Sequence, residues 1–172
     1  MRVAIVAPVL ALLPEYAGRE DPVAELRAAA TSAVAWLVDG ADGVRIVAAD
    51  VQAERVGTHL LESSAPHRVR ARSQADDPVL VLANGSAKRT EKAPGHLDDR
   101  AVAFDDALGA ALAAGDASAL AGLDLTLAAE LWASGIDGLA SLGGLSVEEA
   151  VVDYADDPYG VAYWVVRWTC AS

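Results

Sequence analysis

The sequence predicts an α/β fold: a three-layer sandwich with a mixed, mostly parallel central sheet and a C-terminal antiparallel strand pair. Three observations predict it. Short aliphatic runs recur at Arg2–Ala7, Val44–Ala49 and Val79–Ala83, and continuous apolar runs of this length suit strands buried on both faces. A helical pattern separates the first two, as a strand–helix–strand crossover requires. The last part of the chain carries two further β-rich segments, Ala150–Tyr154 and Val161–Trp168. They are joined through Asp156-Asp157-Pro158-Tyr159-Gly160, a turn-rich connection suited to an antiparallel pair.

Each element has its own signals. After the first strand, Asp21 is a good N-cap, Pro22 suits a first helical position and Gly40 can terminate the helix after Val38. Between them Val23, Leu26, Ala30, Val34 and Leu37 make one apolar stripe. The second strand follows, then Asp50. From Val51 to Asp77 the pattern gives little, except that His67, Val69 and Ala71 alternate with Arg68, Arg70 and Arg72. That alternation reads as an exposed edge strand whose charges discourage pairing between molecules. The third buried strand runs into Asn84-Gly85-Ser86, a loop signal. A helix is then expected on the stripe Leu97, Ala101, Phe104, Leu108, Ala111 and Leu112, with Asp98 and Asp99 in its first turn and Gly115 at its end. Asp116 and Asp124 cap two shorter helices.

The chain has 172 residues, 53% of them hydrophobic, and its 13 Lys+Arg against 25 Asp+Glu give a formal charge of −12. A single domain able to bury a sizeable core is expected. The negative excess argues against nucleic acid and against an anionic membrane surface, which both need a dense basic face. Cys170 is the one cysteine, so neither an internal disulfide nor a cysteine-based zinc site is available. The apolar start resembles a leader only superficially, being interrupted by Pro8 and ended by Pro14-Glu15, and no apolar run reaches membrane-spanning length. A cytoplasmic protein is the expectation.

Ligands of open α/β sheets gather beyond the carboxyl ends of the strands. The most polar such segment is the loop after Ala83, where Asn84, Gly85, Ser86, Lys88, Arg89 and Lys92 combine a small flexible backbone with three cations. Freed N–H groups and these cations, with Arg100 beyond, could hold a carboxylate or phosphate. A salt-bridged structural loop is the alternative. The spacing is not that of a phosphate-binding P-loop, and Ser86 lacks the surroundings of a nucleophile elbow. His59, His67 and His96 lie in three separate segments, a poor start for a metal site. Trp132, Tyr163, Trp164 and Trp168 suggest an aromatic pocket or, more simply, sheet packing, with Tyr163 on the strand face opposite Trp164 and Trp168. Tyr159 could present its hydroxyl at a pocket rim.

Three segments carry a resemblance: Asn84-Gly-Ser-Ala-Lys-Arg-Thr-Glu-Lys-Ala-Pro-Gly-His-Leu-Asp-Asp-Arg100, Ala103-Phe-Asp105 and Asp157-Pro-Tyr-Gly-Val-Ala-Tyr163. With the weaker Ala7-Pro-Val-Leu-Ala-Leu-Leu-Pro-Glu15, they resemble the LigB-like superfamily of class III extradiol ring-cleavage dioxygenases, in an uncharacterised actinobacterial branch. The resemblance implies a Memo/LigB-type fold, often dimeric, whose active members hold one ferrous iron through two histidines and a glutamate. It also implies losses. The place of the first histidine is held by Pro8, or Ala7 if the gap shifts. For the second this chain offers Asp50 and, more remotely, His59. The Ser-His pair that carries the acid–base histidine reads Ser86-Ala87. Asp156 or Asp157 could represent the carboxylate ligand.

A proline has no lone pair for iron, and an alanine at the proton-transfer position forfeits roughly 10²–10⁴-fold in rate. The favoured expectation is therefore a non-catalytic domain without a cofactor, binding a small anion or a protein partner through Asn84, Gly85, Ser86, Lys88, Arg89, Lys92, Arg100 and Tyr159. Two alternatives stand beside it. One is a metal-dependent oxidoreductase using Fe(II) or another divalent ion at Asp50, His59, Asp156 and Asp157. The other is an interaction protein that matters as a homodimer.

Overall fold

The structure, a computed structural model, describes residues 1–16, 21–64, 70–71 and 77–171. Six strands form one sheet: β1 (Arg2–Val6), β2 (Gly43–Ala48), β3 (Arg70–Ala71), β4 (Val79–Leu82), β5 (Val147–Asp156) and β6 (Tyr163–Cys170), in the order β3-β2-β4-β1-β6-β5. The first four run parallel, with Val3 opposite Val79 and Arg45 opposite the same residue from the other side. β6 pairs antiparallel with β1, and β5 antiparallel with β6. The expected mixed α/β sheet with its antiparallel strand pair is what forms.

Alternation along β1 and β4 builds the three layers. Ala4, Val6, Leu80 and Leu82 enter one apolar cluster with helices α1 (Ala24–Val38) and α2 (Val51–Ser64). Val3, Ile5, Val79 and Val81 enter the other, against α3 (Ala101–Ala114), α4 (Ala117–Ala121), α5 (Leu125–Glu130) and α6 (Ile136–Ala140). Period-two strands buried on both faces must alternate in this way. The same rule places Tyr163 in the first cluster and Trp164 and Trp168 in the second, as expected. Trp168 is fully buried and donates its indole N–H to the Leu112 carbonyl at 2.9 Å.

Several element ends differ from the sequence expectation. α1 starts at Ala24: Asp21 accepts from the Val23 N–H and from the Arg27 side chain, fixing the turn before the helix. Asp50 caps α2 through the Ala53 N–H, 2.8 Å away, on a stretch with no helical assignment from sequence. α3 begins at Ala101, so Leu97 stays 44% exposed outside the stripe, and Asp98 and Asp99 precede the first turn. α6 also went unassigned, and β5 begins three residues before Ala150. Asp116 and Asp124 cap α4 and α5 as expected. The edge strand is confirmed at Arg70–Ala71, while His67, Arg68, Val69 and Arg72 lie outside the described residues.

Candidate functional site

The loop leaving β4 is tied down by main-chain bonds before any side chain acts. Asn84 and Ser134 exchange N–H···O bonds of 3.0 and 3.2 Å, Gly85 N–H donates to Ala162 O, Ala162 N–H to Ser86 O, and Ala87 N–H to Leu131 O. These bonds stitch the carboxyl end of β4 to the α5–α6 connection on one side and to the start of β6 on the other. Gly135, at φ +72°, packs against the Leu82 carbonyl oxygen so closely that no Cβ fits there.

Asp105, on the buried face of α3, then clamps the loop. One of its oxygens accepts from Ser86 N–H at 2.7 Å; the other accepts from Ser86 Oγ at 2.5 Å and from the Arg89 guanidinium at 3.1 Å. Asp105 is 1% exposed, so this charge is held inside the protein by three donors, one of them the Arg89 cation. Arg89 reaches on to Asp157 at 2.5 Å, joining the loop to the β5–β6 turn. Burial alone would pull the Arg89 pKa down; the bonds to Asp157 and Asp105 outweigh it and hold the pKa above its usual value. The guanidinium thus stays charged and occupied.

This network forms one end of a cleft of about 520 Å³ between α3 and the β5–β6 hairpin. Its walls are Trp164, Val152, Ala113, Ala155, Ala162 and Gly109, with Asp106 and Asp156 beside the Arg89 network. Sequence reasoning missed Asp105, Asp106, Gly109 and Trp164 as members of one site. A signal for the first existed. Ala101, Phe104, Asp105, Leu108, Ala111 and Leu112 are the buried face of α3, so an aspartate falls inside an apolar stripe.

The remaining predicted residues are distributed as follows. Lys88 lies over the exposed ring of Trp132, 5.3 Å from its centroid. Trp132 itself closes α5 at φ +59°, a position where glycine is usual. Arg100 is forked onto Asp98 and bonded to Glu130, and Lys92 is exposed. Tyr159 is 46% exposed, its hydroxyl donating to Pro22 O at 3.4 Å. The structure therefore brings Ser86, Arg89 and Asp157 together, and leaves Lys88, Lys92 and Arg100 outside that network, Lys88 and Arg100 both beside Asp98.

The ferrous ligand set implied by the resemblance is not assembled. Pro8 follows β1, Asp50 is engaged in capping α2, and His59 faces Ser63 one turn further along that helix at 3.4 Å. Asp156 ends β5 and Asp157 follows it, at the rim of the cleft beside α3. Among the described residues no three His, Cys, Asp or Glu side chains are grouped so that they could hold a metal ion, and no helix is long and apolar enough to cross a membrane.

Comparison with protein-family models and with curated proteins gave no match to this chain.

Exposed carboxylates in three parts of the fold contribute to the response to acid. Side-chain bonds from Arg100 hold Asp98 well below the usual carboxylate range, Arg27 lowers Asp21, and the Ala119 N–H lowers Asp116. A carboxylate whose folded pKa lies below its unfolded value stabilises the fold above the unfolded pKa and loses that contribution as pH falls through the folded one. Thermal melts followed by circular dichroism should therefore be flat above about pH 5 and fall steadily below about pH 4. The fall should be shallower in Asp98→Asn.

Proposed function

We propose that this chain is a non-catalytic binding domain on a LigB-like framework, and that the cleft between α3 and the β5–β6 hairpin is where its small ligand sits. The observation that carries the reading is the Asp105 clamp. It freezes Ser86 and Arg89 at one end of a concave surface, so the walls are set before a ligand arrives, and preorganised walls lower the cost of binding. The LigB-like part of the reading rests on the motifs themselves and on Pro8 and Ala87 at the positions where imidazoles are needed. Without them neither metal capture nor proton transfer has a carrier. An anion held jointly by Lys88, Arg89, Lys92 and Arg100 has less support, because Arg89 and Arg100 are each held by two carboxylates.

The test is a fragment screen read on the Trp164 indole N–H resonance. Ala113→Trp is the control, since residue 113 is exposed on α3 and lines the cleft. Fragments that move the Trp164 signal in the native protein should bind at least about tenfold more weakly to this variant, at an unchanged melting temperature. Hits that ignore the substitution, or a screen in which Trp164 never moves, would remove the cleft from consideration.

A further inference from the structure

We infer that Asn84 is a latent modification site: its side-chain amide is lost by cyclisation onto the Gly85 nitrogen when the loop after β4 opens, and the Asp105 clamp suppresses that reaction in the closed fold. No ligand in the cleft is required.

The chemistry is local and needs only water. The Gly85 nitrogen gives up its proton and attacks the Asn84 side-chain carbonyl carbon; a new C–N bond closes a cyclic imide, and the bond to the side-chain amide nitrogen breaks. That nitrogen takes up a proton in place of the one Gly85 lost and leaves as ammonia. Water then opens the imide at one carbonyl to give aspartate, or at the other to give isoaspartate. Nothing is oxidised or reduced. Glycine after asparagine is the most permissive sequence for this closure, because no Cβ hinders the approach and the main chain turns freely. This fold has no other choice at position 85. A Cβ there would overlap Asp105 Oδ1 and stand 2.7 Å from the Trp164 ring. The carboxylate cannot swing away without releasing the Ser86 N–H, the Ser86 hydroxyl and Arg89. The clamp that orders the loop thus demands the glycine that makes Asn84 labile.

The closed fold withholds each step. Gly85 N–H donates to Ala162 O at 2.9 Å, so its proton is protected in the way of any ladder amide. Gly85 is buried with the Asp105 carboxylate against it, and a negative nitrogen is disfavoured beside that charge. Asn84 is pinned at both levels: its main chain exchanges bonds with Ser134, and its leaving amide nitrogen donates to Gly85 O at 2.8 Å. The reaction therefore runs through openings in which the Gly85–Ala162 bond breaks, and its rate follows their population. Its products would not close again. Isoaspartate inserts a methylene into the main chain between two anchors, the Ser134 bonds at residue 84 and the Ala162 bonds at residues 85 and 86. Both anchors cannot then keep their register, so one prolonged opening retires the Ser86–Arg89 end of the cleft.

Peptide mapping for aspartate and isoaspartate at position 84, over a long incubation in mildly alkaline buffer, tests both halves of this proposal. The urea-unfolded chain sets the unsuppressed rate, and the native protein should react at least about a hundredfold more slowly. Two substitutions of similar expected cost in stability then separate loop opening from global unfolding. Ser86→Ala removes one donor to Asp105 beside the reacting pair and should speed the native-state reaction about fivefold. Trp168→Phe lies in the core away from the loop and should leave the rate within about twofold of native. If Ser86→Ala accelerates the reaction no more than Trp168→Phe does, the clamp is not the gate. A native protein that reacts as fast as the unfolded chain overturns the suppression, and an unfolded chain that keeps Asn84 intact removes the site.

Discussion

Asp105→Ala should cost about 3–5 kcal/mol of folding stability, the range found when one member of a buried ion pair is removed. The substitution strands the buried Ser86 N–H and hydroxyl and leaves Arg89, 19% exposed, with Asp157 as its remaining carboxylate. Urea denaturation would measure the loss. Ser86→Ala removes one hydroxyl donor and should cost about 1 kcal/mol. In the double variant Asp105→Ala/Arg89→Met the stranded cation is gone, so it should lose less than the two single losses added together. Strict additivity would show that Asp105 and Arg89 do not act as a unit.

Trp168→Ala should be comparably severe, at about 3–5 kcal/mol. The ring is fully buried in the second cluster, on the face of β6 that packs against α3. Trp168→Phe keeps most of the apolar contact and removes one of the two donors to the Leu112 carbonyl, which keeps the Gly115 N–H at 3.3 Å, so a loss of about 1 kcal/mol is expected from the missing bond. Near-ultraviolet circular dichroism combined with urea melts would separate loosened packing from a lost hydrogen bond.

The parallel strands were legible because they are buried on both faces, which leaves short aliphatic runs without polar interruption. The antiparallel pair was legible because a dense turn sequence divides it. α2 was not, although Ala53, Val56, Gly57, Leu60 and Leu61 fall on one helical face and Asp50 supplies the cap. Its stripe is diluted by Gly57, which lets the helix settle onto Leu82 and Ile46, and by polar residues that face outward. α6 is one turn long and starts from a left-handed glycine, so no periodic pattern had room to develop. For the site, the loop was visible as a polar segment after a buried strand. Which of its cations would be engaged was not, because apart from Asp98, two residues from Arg100, their partners at residues 105, 130 and 157 are brought near by the fold alone. The cleft is built from α3, β5 and β6, and sequence order gives no hint that Gly109 and Trp164 meet.

The placement of β1 has a consequence for biogenesis. Residue 3 pairs with residue 79, and residue 2 with residue 169, so this central strand leaves the ribosome long before either neighbour exists. Closing loops of that length delays the reward for making the contacts, which puts the domain among slow folders, on the scale of about milliseconds to seconds. Until β6 emerges, the nascent chain carries a hydrophobic ribbon with at least one bare hydrogen-bonding edge, the kind of intermediate that sticks to its own copies and that a holding chaperone would shield.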